Sequence, residues 1–202
     1  MSDLPLPPSG GFLFVRHGES VDNARDRHSG GDANPVLTDL GRDQARATGA
    51  RLHDLLGAAA WRVRFIVSPL IRTTDTARLL AQALGLPFDD VTFEPGFLER
   101  RLGRWNGLTS AEVPQSLVGS DATPPGGEDR ASFRCRVERA ALAAAALAGP
   151  DCLPLVVSSR GVARALGWQA TPNAGLCYWP FAFAESLPGG PGIWPSPPDG
   201  LL

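Results

Sequence analysis

The sequence predicts an α/β protein, a three-layer α/β/α sandwich with a mostly parallel central sheet. Three short apolar runs, each bounded by charged or turn-forming residues, are typical of buried strands: GFLFV (11–15), VRFIV (63–67) and LPLVV (153–157). Segments whose apolar residues recur at helical spacing separate these runs. Strands that alternate with helices indicate a parallel sheet with helices on both faces.

Helix boundaries can be placed from capping residues. The first predicted helix begins after Thr38, with Thr38 as its N-cap, and ends at Gly57. The second has Pro69 in its first turn. The remaining predicted elements follow in chain order: helices at 69–84, about 128–148 and about 161–168, a weak strand near 91–94, and an edge strand within 176–183.

Length and composition favour a single soluble domain. Residues 1–10 are expected to be a disordered lead, and 11–202 one domain with a short insert at about 108–127. The net charge of −2 gives no reason to expect a nucleic-acid partner. The N-terminus lacks the features of a signal peptide, and the longest apolar run, 140–148, is too short to span a bilayer. We therefore expect a cytoplasmic protein without a membrane partner.

The basic and sulfur-containing residues exclude several kinds of chemistry. All 19 basic residues are arginine, which rules out a lysine Schiff base or a Walker-type lysine. The three cysteines are widely spaced and form no C-x-x-C pair, which argues against a disulfide framework or a zinc site. We expect no metal and no cofactor, because no carboxylate cluster or His/Cys ligand set accompanies the arginines.

Polar side chains follow each of the three predicted strands. Arg16 and His17 come directly after the first, Arg72 lies five residues beyond the second, and Ser159 and Arg160 follow the third. Ligands of parallel sheets bind beyond the carboxyl ends of the strands. Guanidinium groups match phosphate oxygens, and a neutral imidazole is a competent nucleophile. Taken alone, this pattern leaves open that His17 is an ordinary loop histidine and Arg16 a surface cation.

Six segments resemble the motifs of the histidine phosphatase superfamily, which includes the phosphoglycerate mutases. FVRHGESVDN (14–23) is similar to the family signature R-H-G-x-S/T-x-x-N. The other five matches follow in the family's order and spacing over roughly 12–166, at 37–45, 68–77, 98–107, 125–128 and 156–164. The resemblance implies a phosphoglycerate mutase-like fold.

The resemblance also implies roles for individual residues. His17 would be the nucleophile that becomes phosphohistidine. Glu99 would be the general acid and then the base that activates water, although an ordinary ion pair of Glu99 with Arg100 or Arg101 remains open. The residues expected to bind the phosphoryl group are Arg16, Asn23, Arg72, Ser159 and Arg160. Those expected on the substrate side are Arg27, His28, Arg100 and Arg101.

The last motif departs from the family pattern. The register set by Gly161 and Arg164 places Ser159 where the family has its second histidine, and Arg160 where glycine is usual. Loss of one preorganised donor typically costs about 10²–10³ in rate. Three outcomes remain open: Arg160 replaces the missing donor, the enzyme is slow, or the site only binds phosphorylated ligands.

We expect a hydrolase of a small phosphomonoester that acts through phosphohistidine at His17. One alternative is a catalytically weak member that binds a phosphate ligand or a phosphoprotein. A mutase-type phosphotransferase is disfavoured because the segment 107–128 is short. The leaving-group side of the pocket is expected to be shaped by Trp105, Leu108, Phe133 and the segment 109–127.

Overall fold

The computed structural model describes residues 11–180, and these contain one five-stranded sheet of order β3-β2-β4-β1-β5. β1 pairs with β4, β4 with β2, and β2 with β3 in parallel, whereas β5 runs antiparallel to β1 at one edge. The strands are β1 Gly11–Arg16, β2 Val63–Val67, β3 Thr92–Phe93, β4 Leu153–Ser158 and β5 Leu176–Pro180. The predicted mostly parallel sheet is confirmed, and the expected disordered lead at 1–10 lies outside the described residues.

Six α-helices lie within residues 11–180, and the four longest follow the predicted order. They are α1 Val21–Ala24, α2 Asp39–Leu56, α3 Ile71–Ala83, α4 Gln115–Val118, α5 Arg130–Ala146 and α6 Arg160–Ala165. The Thr38 side chain caps α2 by accepting a hydrogen bond from the Gly41 N–H at 3.0 Å. The prediction that Pro69 begins α3 was wrong: the backbone stays extended at Leu70, with φ −112° and ψ 147°, and the helix begins at Ile71.

Both faces of the sheet are buried under helices. Alternate residues of β1 point to opposite faces, so Phe12 and Phe14 pack with α5 and α6 while Leu13 and Val15 pack with α2 and α3. The uninterrupted apolar sequences of β1 and β4 are explained by this burial on two sides. The described residues therefore form the predicted three-layer α/β/α sandwich.

The carboxyl ends of the central strands lie at one edge of the sheet. Arg16 at the end of β1 is in register with Ser158 at the end of β4, and Val67 at the end of β2 is in register with Val157. The loops that follow these strands consequently meet at the same place. None of the helices within 11–180 has the length and apolar character needed to cross a membrane.

Candidate active site

His17 lies at the tip of β1, with only 4% of its surface exposed. Its ring Nδ1 is 2.7 Å from the Gly18 carbonyl oxygen. Since a carbonyl oxygen can only accept, Nδ1 carries the proton and Nε2 presents its lone pair. The Arg72 Nε–H donates to this Nε2 at 3.3 Å. The nitrogen that a nucleophile needs is thus free of a proton and lies against a guanidinium group.

Burial lowers the pKa of His17 well below its usual value. The positive charges of Arg72 and Arg16 lower the pKa further, and the hydrogen bond to Gly18 opposes them only in part. The imidazole is therefore neutral at pH 7. A neutral imidazole surrounded by positive charge is suited to accept a phosphoryl group.

The loop that carries His17 is held by contacts with the two helices beneath it. The Gly18 N–H donates to Thr76 Oγ1 of α3 at 3.1 Å, and Thr76 Oγ1 donates to the Arg72 carbonyl at 2.7 Å. A Cβ atom on Gly18 would lie 2.2 Å from the Gly41 carbonyl oxygen of α2. Glycine is required at this position because a side chain would push the histidine loop away from the helix.

Arg72 is buried and held in place by the long loop that follows β1. Its Nη1 donates to the Ala33 carbonyl at 3.0 Å and its Nη2 to the Gly30 carbonyl at 3.3 Å. Burial lowers the pKa of Arg72 to about 10, although the charges of Glu99 and Asp22 raise it. The guanidinium remains charged at pH 7 and cannot swing away from His17 without breaking these bonds.

Arg16 supplies a second guanidinium at the same edge. Its Nη1 donates to the Thr171 carbonyl at 2.7 Å, and its buried Nε has no hydrogen-bond partner among residues 11–180. Burial and the nearby charges of Arg160 and Arg164 lower the pKa of Arg16 to about 10, although the charge of Glu99 raises it in part. Arg16 is thus a buried cation with a vacant donor, and an anion would stabilise it.

Two backbone amides fix the Glu99 carboxylate. Its Oε2 accepts from the Gly161 N–H at 2.8 Å, and its Oε1 accepts from the Arg100 N–H at 2.7 Å. A Cβ atom on residue 161 would lie 2.0 Å from Oε1, so the carboxylate packs directly on the glycine backbone. The alternative of an ion pair with Arg100 or Arg101 does not occur, since no salt bridge of Glu99 is formed within residues 11–180.

Most of these groups line one cavity of about 610 Å³; Arg72 does not line it and is joined to it through its contact with His17. His17, Arg16, Glu99 and Asn23 all line it. Asn23 Oδ1 accepts from the Ser20 N–H at 3.2 Å in the cap of α1, which leaves its amide nitrogen as a donor. The structure therefore brings together the sequence-predicted nucleophile, acid and arginines.

The predicted substrate-side residues divide into two groups. Arg27 and His28 line the cavity, where Arg27 donates to the Gly107 carbonyl at 2.8 Å and the His28 Nε2 to the Val113 carbonyl at 2.6 Å. Arg101 is exposed and does not line the cavity. Arg100 also lines the cavity, but its guanidinium donates to four backbone carbonyls, those of Val118, Ser120, Ala122 and Glu128. This arrangement favours a structural role for Arg100, because its donors are already used.

Of the two residues at the departure from the family motif, both expected in the pocket, only Arg160 lines the cavity. Ser159 does not line the cavity, and its Oγ is buried without a partner among the described residues. The chain is extended at Ser158 and Ser159, and Ser158 Oγ donates to the Phe97 carbonyl at 2.6 Å, so the two side chains point to opposite sides. Arg160 does line the cavity, where its guanidinium donates to Gln115 Oε1.

The apolar wall predicted for the leaving group is only partly present. Phe133 lines the cavity, as do Gln115, Val118 and Gly119 of the predicted segment 109–127. Trp105 and Leu108 do not line it. No group of three or more His, Cys, Asp or Glu side chains in the described part of the chain is placed to hold a metal ion.

Sequence reasoning missed three arginines of the cavity wall: Arg130, Arg134 and Arg164. Arg164 had a usable signal, because it lies four residues after Arg160 on a predicted helix and such residues share a face. Arg130 and Arg134 lie at the start of α5, and no pattern in their own segment indicates which cavity they reach.

The fold and these residues define an α/β protein with a buried neutral histidine among guanidinium groups. The sequence profile of the histidine phosphatase superfamily (branch 1) matches residues 12–183, and the chain belongs to this family. It is 35% identical over 126 residues to the 2,3-bisphosphoglycerate-dependent phosphoglycerate mutase 2 of Gloeobacter violaceus, which covers 58% of this chain and 55% of that protein. It is 34% identical over 127 residues to the glucosyl-3-phosphoglycerate phosphatase of Mycolicibacterium vanbaalenii. This match covers 59% of this chain and 52% of that protein.

A solved structure of a phosphatase has a similar fold. The mycobacterial glucosyl-3-phosphoglycerate phosphatase Rv2419c, in complex with VO3, superposes with a TM-score of 0.68 at 25% identity, covering 84% of this chain and 92% of that one. The phosphoglycerate mutase-like fold is thus confirmed. The chain spans between 35% and 64% of the length of the curated relatives it matches.

Proposed function

We propose that the chain is a phosphomonoester hydrolase that acts on a small phosphate ester through a phosphohistidine at His17. The observation that carries this proposal is the His17 Nε2 lone pair, which lies buried and unprotonated against the Arg72 guanidinium. The fixed Glu99 carboxylate in the same cavity supports it. Relatives named as phosphatases support hydrolysis as the reaction class.

The reaction has two steps. In the first, Nε2 of His17 forms a bond to phosphorus as the bond from phosphorus to the ester oxygen breaks, and the protonated Glu99 gives its proton to that oxygen. In the second, the Glu99 carboxylate takes a proton from water, the water oxygen bonds to phosphorus, and the N–P bond breaks. Inorganic phosphate leaves, and His17 returns to its neutral form.

The arginines stabilise the charge on the transferred group. Phosphoryl transfer depends mainly on positioning and on electrostatic stabilisation of the equatorial oxygens. Arg16 has a vacant buried N–H, and Arg72 has an N–H that rests on Nε2 until a phosphoryl oxygen replaces it. The Asn23 amide adds a neutral donor at the same place.

We further propose that turnover is slow. By the resemblance of the last motif, Ser159 stands at the position of the family's second histidine, and its Oγ does not line the cavity. The phosphoryl group then lacks one preorganised donor, a loss worth about 10²–10³ in rate. The same observation favours a second candidate, a family member that binds a phosphate ligand and hardly turns it over.

Steady-state hydrolysis of p-nitrophenyl phosphate tests the proposal. We expect turnover above background, a loss of at least about 10³-fold in His17→Ala, and full activity in Arg51→Gln, which removes an exposed charge from α2. Equal activity in wild type and His17→Ala would contradict it. Tight binding of vanadate by a wild type without turnover would support the binding protein instead.

A further inference from the structure

We propose that Arg160 and Arg164 of α6 form a second anion site in the cavity, so that the substrate carries a carboxylate or a second phosphate on its leaving group. The proposal deepens the proposed function and rests on it for the first anion, which sits at His17. It names a substrate class that the reaction chemistry alone leaves open.

The cavity holds more positive charge than one phosphoryl group needs. Seven arginines line it against two carboxylates, Asp26 and Glu99, although the whole chain has a net charge of −2. The lining arginines are Arg16, Arg27, Arg100, Arg130, Arg134, Arg160 and Arg164. Such an excess in one cavity is costly in the free protein and is relieved by bound anions.

Four of the seven arginines already have partners in the fold. Arg100 is bound to four carbonyls, and Arg27 to the Gly107 carbonyl. Arg130 donates to the Gly119 carbonyl, and Arg134 pairs with Glu138 at 3.6 Å. These contacts account for their positions without a ligand. The charges that remain are Arg16, which belongs to the phosphoryl site, and the pair on α6.

Arg160 and Arg164 repel each other where they stand. They are four residues apart on α6, so both side chains lie on the same face, and both line the cavity. Arg164 makes no hydrogen bond or ion pair with any residue from 11 to 180, and the Arg160 guanidinium has the neutral Gln115 as its partner. Burial and then the charge of Arg164 lower the pKa of Arg160. The charges of Glu99 and Asp26 raise it in part, but neither carboxylate forms an ion pair with Arg160 or Arg164 within residues 11–180. Two half-buried cations without an ion-pair partner are a site that an anion would stabilise.

The pair lies on the helix that holds the Glu99 carboxylate. Gly161, the residue after Arg160, donates the N–H that fixes the Glu99 carboxylate. Glu99 delivers its proton to the leaving oxygen in the proposed reaction, so α6 positions the acid and the two arginines together. An anionic group on the leaving portion of the substrate would then meet Arg160 and Arg164 while the transferred phosphoryl group contacts Arg16 and Arg72.

Binding of non-hydrolysable phosphonates tests the second site independently of turnover. n-Propylphosphonate carries one anionic group, whereas 3-phosphonopropionate and propane-1,3-bisphosphonate add a carboxylate or a second phosphonate at similar length. By calorimetry we expect wild type to bind at least one of the two probes with a second anionic group about tenfold more tightly than n-propylphosphonate. A tenfold ratio of affinities corresponds to the contribution of one charge-assisted hydrogen bond. The better of the two identifies the group.

Variants of the pair decide the outcome. In the double variant Arg160→Gln/Arg164→Gln the probes should bind within about twofold of one another, while Arg51→Gln should retain the tenfold preference. Arg164→Lys keeps the positive charge, so it should retain part of the preference for the probes with a second anionic group. This variant shows whether a loss in the double variant comes from the lost charge or from a fold defect. Equal affinities in wild type, or a preference that survives in the double variant, would overturn the second site. A preference without ester hydrolysis would contradict the proposed function alone, and failure to bind any probe would overturn both.

Discussion

The two ring nitrogens of His17 have different partners, and this difference decides what the side chain can do. Nδ1 is fixed as the donor by the Gly18 carbonyl, so the tautomer is set by the backbone next to the ring itself. Nε2 faces the Arg72 guanidinium, which disfavours a second proton. Protonation would place an imidazolium among buried guanidinium groups, and the lone pair on Nε2 would be lost.

The lowered pKa of His17 makes stability depend on pH in a defined direction. Below pH 6.5 the unfolded chain binds a proton at this histidine while the folded protein does not, so the free energy of unfolding falls as the pH falls. We expect wild type to lose stability from this site as the pH falls from 8 to 5.5. Urea unfolding at both pH values measures it.

The control for this experiment is a second histidine. His17→Asn should lack the additional loss below pH 6.5, whereas His53→Asn, which removes an exposed histidine from α2, should keep it. A wild type and a His17→Asn variant with the same dependence of stability on pH would show that the ring is not held neutral.

At the scale of elements, α6 holds the Glu99 carboxylate in the cavity through the Gly161 N–H, and Arg100 holds the segment that contains α4. Gly161 sits against the Glu99 carboxylate, and the Arg100 guanidinium reaches the carbonyls of the segment that contains α4. Gly161 contacts the Glu99 carboxylate in space, and Arg100 follows Glu99 in the sequence. These two contacts hold Glu99 and the segment up to residue 122 in place.

A methyl group at position 161 should displace the acid. In Gly161→Ala the added Cβ would lie 2.0 Å from Glu99 Oε1, so the carboxylate has to leave its two backbone donors. We expect kcat for an alkyl phosphate to fall about 10²-fold, and for p-nitrophenyl phosphate by less, because nitrophenolate leaves without an acid. Gly149→Ala, where a Cβ meets nothing within 4 Å, is the control. Equal losses for both esters would argue against Glu99 as the acid.

Removal of the Arg100 guanidinium should destabilise the fold. Arg100→Ala leaves four backbone carbonyls near α4 and α5 without their donors, at a cost of about 2–4 kcal/mol. Arg104→Ala removes an exposed arginine four residues further along the chain and should change stability by less than about 0.5 kcal/mol. Equilibrium unfolding in urea compares the two. Equal free energies of unfolding for the two variants would argue against a structural role for Arg100 and favour the predicted role on the substrate side.

At the scale of the whole molecule, charge is distributed unevenly. The chain has a net charge of −2, yet seven arginines line the single cavity described above. A negatively charged ester is therefore attracted to the cavity and not to the surface as a whole. We expect kcat/KM for a phosphate ester to fall about 3- to 10-fold as sodium chloride rises from 20 to 200 mM, since salt screens this attraction. A rate constant independent of salt would contradict a cationic entrance.

The sequence predicted the architecture because the features that determine it are local. The continuous apolar runs identify strands buried on both faces, and Thr38 followed by Gly41 fixes the start of α2. The motifs likewise placed His17, Arg72 and Glu99 around one site, since parallel strands end at the same edge of the sheet.

Side-chain directions in loops could not be predicted in the same way. Arg100 and Arg101 are neighbours in an irregular segment, and one is buried against carbonyls about twenty residues further along the chain while the other is exposed. Ser159 occupies a motif position but points away from the cavity, because its direction is set by the extended backbone at the end of β4. The direction of the Arg100 side chain depends on distant backbone carbonyls, and these carry no sequence signal.

The most direct test of the central claim is to find the phosphoryl group on His17. Wild type mixed with a phosphate ester is quenched in base, which preserves phosphohistidine, and is digested for mass spectrometry. We expect an acid-labile phosphate on the peptide that contains His17, and none in His17→Ala or on the peptides of His28 and His53. Hydrolysis of the ester with no phosphate on His17 at any time, even in Glu99→Gln where the second step is slowed, would contradict the account.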